Sequence, residues 1–93
     1  MPLSSASFTR PTVADGETIG FSATRIERDG SVAAGRVIYP TLEEAERLLT
    51  PRFLENEIRI AEIQHNAWGP DRTRMVSRRP PRSAWVRESG DWR

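Results

Sequence analysis

The side chains best suited to chemistry here are a lone histidine, a run of glutamates, and a series of arginines interleaved with tryptophans. His65 is the only histidine. A metal centre built on it would need carboxylates for its other ligands, and no histidine–carboxylate spacing of that kind stands out. Serines are plentiful, but no Gly-x-Ser-x-Gly elbow presents one as a nucleophile. His65 therefore reads as a partly buried or surface side chain. Glu43, Glu44 and Glu46 form an acidic cluster, and paired carboxylates do acid–base work only where a pocket raises one pKa. At the start of a short helix they are expected to serve the cap and face solvent. The glycines form neither a Walker sequence nor a Gly-x-Gly-x-x-Gly run. With cysteine absent as well, no cofactor, no metal and no catalytic residue is expected.

The positive signal lies near the C-terminus. Arg72, Arg74, Arg78, Arg79, Arg82 and Arg87 alternate with Trp68, Trp85 and Trp92. Arginine grips carboxylates and phosphates through a planar fork, and indoles fill protein pockets or stack on bases. Trp68 is assigned to the core, Trp92 to the surface, and Trp85 to either. The candidate binding residues are Arg72, Arg74, Arg78, Arg79, Arg82, Trp85, Arg87 and Trp92. All fourteen basic residues are arginine. A GC-rich gene and a functional demand for guanidinium both explain that, and composition does not separate them.

Charge is distributed unevenly. Residues 1–68 sum to −3 and residues 69–93 to +4, giving the net +1. A basic tail on an acidic body suits an anionic partner, or a tail that docks on its own body.

The elements that must position these groups are short. Residues 1–18, rich in Ser, Thr, Pro and Gly, are expected to form a flexible arm. Residues 19–39 read as a β-hairpin turning at Arg28-Asp29-Gly30. A three-residue loop pairs Glu27 with Ser31 and Phe21 with Val37, and gathers Ile19, Phe21, Val37 and Tyr39 on one face. Ala33, Ala34 and Gly35 are weak strand formers that mark a bulge or a close approach. Thr41-Leu42-Glu43-Glu44 is a capping box, opening a helix over 41–49 whose apolar face is Leu42, Ala45, Leu48 and Leu49.

Residues 52–66 are ambiguous. A helix would align Leu54, Ile58, Ala61, His65 and Trp68, whereas the β-branched density of 57–63 favours a strand over 57–65. The strand is preferred, because a hairpin with one helix needs a third strand to be stable. Residues 72–78 are a candidate fourth, edge strand, and Pro80-Pro81 breaks the structure.

The expected fold is α+β: a small antiparallel β-β-α-β sheet, with a possible fourth edge strand and the helix packed on one face. The arm covers 1–18, the domain 19–78 and the Arg/Trp/Pro-rich tail 79–93. The predicted core is Ile19, Phe21, Val37, Tyr39, Leu42, Ala45, Leu48, Leu49, Ile58 and Ile60, with Trp68 as a further candidate.

The start, Met1-Pro2-Leu3-Ser4-Ser5, lacks the basic and apolar regions of a signal peptide. No apolar run approaches the roughly 20 residues that span a bilayer, so a cytoplasmic protein without membrane contact is expected. The function read from these features is a small non-enzymatic protein-binding module: a regulator, adaptor or inhibitor of the kind carried by phages and other mobile elements. Self-association through an edge strand, giving a homodimer, is a related route. The alternative is a nucleic-acid-binding accessory protein using the C-terminal Arg/Trp segment.

Overall fold

A computed structural model describes residues 16–93. The flexible arm expected over 1–18 lies outside the described residues, save for its last three positions. The chain runs β1 (Thr18–Ile26), β2 (Val32–Tyr39), α1 (Leu42–Leu49), β3 (Glu57–Gln64), β4 (Arg72–Arg79) and β5 (Val86–Arg87). The strands form one antiparallel sheet in the order β2-β1-β3-β4-β5, with α1 on one face. No helix among the described residues is long and apolar enough to cross a membrane.

The hairpin turns where expected. Gly30 takes φ +90°, which costs glycine nothing. The Asp29 carboxylate accepts hydrogen bonds from the Ser31 backbone N–H (2.9 Å) and hydroxyl (2.7 Å). The Glu27 N–H closes the loop on the Ser31 carbonyl at 2.8 Å. Pairing follows the three-residue register through Thr24↔Ala34, then shifts, resuming at Ser22↔Ile38 and Phe21↔Tyr39. Gly35, Arg36 and Val37 thus stand opposite Ala23 alone. The bulge occurs where Gly35 comes so close to β1 that a Cβ there would sit 2.9 Å from the Ala23 carbonyl oxygen. The expected Phe21–Val37 pair is replaced by Phe21–Tyr39, and Val37, assigned to the core, is 56% exposed.

Thr41 caps α1 from an extended conformation, its Oγ1 accepting from the Glu44 N–H at 3.1 Å. Eight residues do not hold a helix in water, so Ala45 and Leu49 bury against Ala23, Ile58, Ile60 and Val76, with Phe21, Tyr39, Leu42 and Trp85 at the margin. Leu48 was expected in this core but is exposed. It projects about 100° round the helix from Leu49, beyond the narrow stripe that meets the sheet.

Residues 57–64 form a strand rather than a helix. Strands β1 and β4 pair with it on both sides, burying Ile58 and Ile60 while Arg59 faces out. The fourth strand forms too, and a register shift between Ile60 and Ala61 inserts Val76 as a buried extra residue.

A fifth strand, which the sequence reading lacked, takes the position outside β4. Its pairing continues past Arg87. The Glu88 and Gly90 N–H groups donate to the Val76 (2.9 Å) and Met75 (3.0 Å) carbonyls, and Arg93 and Thr73 exchange two bonds at 2.9 and 3.2 Å. Residues 86–93 therefore lie along β4 rather than apart from the sheet. Two other residues assigned to the core are exposed: Ile19, at the irregular start of β1, and Trp68, which sits in the β3–β4 turn.

Candidate functional site

The candidate set Arg72, Arg74, Arg78, Arg79, Arg82, Trp85, Arg87 and Trp92 is brought to one side of the sheet, but largely in contact with the fold itself. Arg79 is 2% exposed. It lies opposite Ile58 on the face that α1 covers. Its Nη1 donates to the carbonyls of Leu49 (2.9 Å) and Thr50 (3.0 Å). Its Nη2 donates to those of Arg52 (2.9 Å), Phe53 (2.6 Å) and Asn56 (3.4 Å). The last carbonyls of a helix have no partners within it. Here one guanidinium reaches the Leu49 and Thr50 carbonyls and gathers the loop that follows. Burial lowers the Arg79 pKa from its ordinary value, yet arginine stays charged in proteins. Trp85 lies over the guanidinium at 5.6 Å and donates from its indole nitrogen to the Thr50 hydroxyl at 2.9 Å.

The remaining arginines of the set, Arg72 excepted, face carboxylates. Arg74 pairs with Glu62 (3.1 Å) and lies 4.6 Å from the Trp92 ring centroid. Arg78 meets Glu88 at 3.4 Å, and Arg82 meets Glu55 at 2.6 Å. Arg87 forks onto Glu46 at 2.8 and 2.9 Å. Glu46 was expected to face solvent with Glu43 and Glu44. Its side chain instead points at β4 and β5, where it also accepts the buried Ser77 hydroxyl at 2.6 Å. Burial pushes the Glu46 pKa up, but the hydrogen bonds from Arg87 and Ser77, with the charge of Arg87, hold it below the ordinary value.

His65 sits at the end of β3, its Nδ1 3.4 Å from Asp71 Oδ1 across the turn. In that turn Asn66 accepts the Trp68 N–H (3.2 Å) and donates to the Pro70 carbonyl (3.2 Å), leaving the Trp68 indole 90% exposed. A Trp-Gly-Pro-Asp turn signals a side chain at a loop tip, and that signal outranks the general tendency of tryptophan toward small cores. Among the described residues no three His, Asp or Glu side chains gather as ligands for an ion.

The surface that the sequence reading missed is β2. Strand β5 closes one side of the sheet, while β2 is unpaired on the other among the described residues. Val32, Val37 and Ile38 are exposed there, and Arg36 is the strand's single charge. Beside it opens an apolar groove of about 260 Å³, with Ala23, Gly35 and Ile58 among its lining and Leu49, Tyr39 and Phe53 around it. Phe53 holds φ +53°, a conformation a bulky residue rarely adopts. The Arg79 bond to its carbonyl and the Arg25 guanidinium 4.4 Å from its ring keep it there. The one sequence cue to this surface was the low charge of 32–39.

No protein family, curated protein or solved structure matches the chain.

Proposed function

We propose that this protein is a non-enzymatic binding module that takes an extended segment of a protein partner alongside β2. The observation that carries the reading is the asymmetry of the sheet. The C-terminal segment covers the outside of β4, whereas, among the described residues, the eight residues of β2 keep an open edge with exposed Val32, Val37 and Ile38. Such an edge presents unpaired main-chain groups to another chain, and main-chain hydrogen bonds then supply affinity while alternate side chains supply selectivity. The bulge at Gly35–Val37 limits indiscriminate pairing and divides the edge into two short stretches.

An edge-blocking substitution tests it. The Glu27 N–H bonds the Ser31 carbonyl, so Ala33, two residues on, also bonds toward β1, and Ala34 directs its N–H outward. Ala34→Pro removes an outward donor and leaves the hairpin's own bonds in place. The full chain should capture a specific partner that Ala34→Pro loses at unchanged thermal stability. Equal capture by both would remove β2 as the contact.

The nucleic-acid reading would require Arg74, Arg78, Arg82 and Arg87 to leave their carboxylates. A salt series with DNA and RNA decides it, since phosphate contacts weaken steeply as salt rises.

A further inference from the structure

We infer that the groove beside β2 selects a partner segment in which an apolar side chain is flanked two residues away by a carboxylate. The inference rests on the strand-addition reading above and adds the chemistry that β2 would recognise.

Three observations carry it. First, the charged residues lining the groove are all arginines (Arg25, Arg36 and Arg52), and no carboxylate lines it. Second, Arg25 is committed to Glu27 at 2.6 Å, whereas neither Arg36 nor Arg52 makes an ion pair among the described residues. Arg52, an exposed residue, rests over the Phe53 ring at 5.6 Å. Third, the groove is about 260 Å³, below the roughly 300–1,000 Å³ of small-molecule pockets, and residues 33–37 of β2 line it in succession. That shape suits single side chains of an extended chain.

The spacing follows from strand geometry. In an added strand, residues i and i+2 share a face about 6.6 Å apart. An apolar side chain seated on the small residues Ala23 and Gly35 therefore places its i±2 neighbours toward the arginine rim. Carboxylates there form forked, charge-assisted bonds with guanidinium groups.

A second copy of this chain is the poorer occupant. Strand β2 carries Arg36 and no acid, so self-pairing supplies no carboxylate and sets like charges side by side. A polynucleotide supplies charge but no peptide groups to match the edge.

The probe is a display library of random peptides of about ten residues, the length of a long strand, panned against the full chain. The expected result is enrichment of sequences with an aromatic or branched residue flanked at i±2 by Asp or Glu. The best peptide, synthesised, should slow hydrogen exchange of the β2 amides. Its affinity should fall about tenfold or more in Arg36→Glu/Arg52→Glu, with unchanged circular dichroism, and it should weaken with salt.

Enriched peptides that are neutral or basic, or binding indifferent to the double reversal, would overturn the charge selection while leaving strand addition standing. Peptides that bind without protecting β2, or no enrichment at all, would overturn both. A concentration-dependent dimer whose β2 amides are protected without peptide would assign the edge to a second copy, against the inference. A DNA oligonucleotide that competes with the peptide at equal charge would likewise overturn it, leaving only a nonspecific anion site.

Discussion

The guanidinium of Arg79 donates to the carbonyl of Phe53 at 2.6 Å, tying a residue of β4 to a loop residue 26 positions earlier. Around this bond the helix end, the following loop and the C-terminal segment meet. One buried cation closes the end of the domain and shapes the wall of the groove beside β2.

Removing that cation takes a donor from five carbonyls, of which those of Leu49 and Phe53 keep a backbone N–H. Arg79→Met is expected to cost about 2–3 kcal/mol, since a buried group left unsatisfied costs roughly 1–3 and some of these carbonyls keep other partners. Arg79→Lys should fall between Met and wild type, because one ammonium does not reproduce the planar fork. Urea denaturation at constant m-value measures both. A loss under about 1 kcal/mol for Arg79→Met would show that water replaces the guanidinium.

Glu46 gives the fold a dependence on acid. Its folded pKa lies below its ordinary 4.5, so its contribution is fully present above that value and is lost as pH falls through the folded pKa. The stability difference between wild type and Glu46→Gln should be constant near neutrality and shrink below pH 4.5. Chemical denaturation across that range reads it. A difference unchanged down to about pH 2 would place no proton on Glu46 in the linkage.

Trp68 and Trp85 should separate in solution. Trp68→Ala should change stability by no more than about 0.5 kcal/mol and remove most of the acrylamide-quenchable fluorescence. Trp85→Ala should cost about 2 kcal/mol or more, because it strips the cover from Arg79 and leaves a cavity. Similar stability losses for both would contradict the placement of Trp68 in solvent.

Truncation after Pro80 is not a clean probe of the tail as a contact surface. It removes Trp85 from Arg79, Arg82 from Glu55 and Arg87 from Glu46, and it bares the outside of β4. The truncated chain is expected to melt lower and to aggregate with rising concentration, as a bared edge does. Light scattering during a thermal ramp distinguishes this from a harmless deletion, which would leave both properties unchanged.

The sequence made local devices visible. The Asp29-Gly30 turn, the Thr41 cap and the β-branched run of 57–63 each announce themselves within a few residues, and together they specify the sheet and its helix. Devices that depend on distant segments were hidden. Arg79 sits in an Arg-Arg-Pro-Pro run that resembles a solvated tail, and only the meeting of β4 with the end of α1 makes it a buried cap. The tail arginines looked free because their carboxylates, Glu46, Glu55 and Glu62, lie 12 to 41 positions away along the chain. The β2 edge was hidden for a related reason. Alternation within a strand shows which face is buried, but not which side stays unpaired once the C-terminal segment has closed the other.

The central claim is that the open side of β2 is where a partner binds. Hydrogen exchange of the full chain, free and saturated with a captured partner, tests it most directly. Strand addition predicts that the amides of Val32 and Ala34, fast in the free protein, become strongly protected on binding, while those of the β3–β4 turn around Trp68 are unchanged. Protection confined to that turn or to residues 82–93, with β2 exchanging as before, would contradict it.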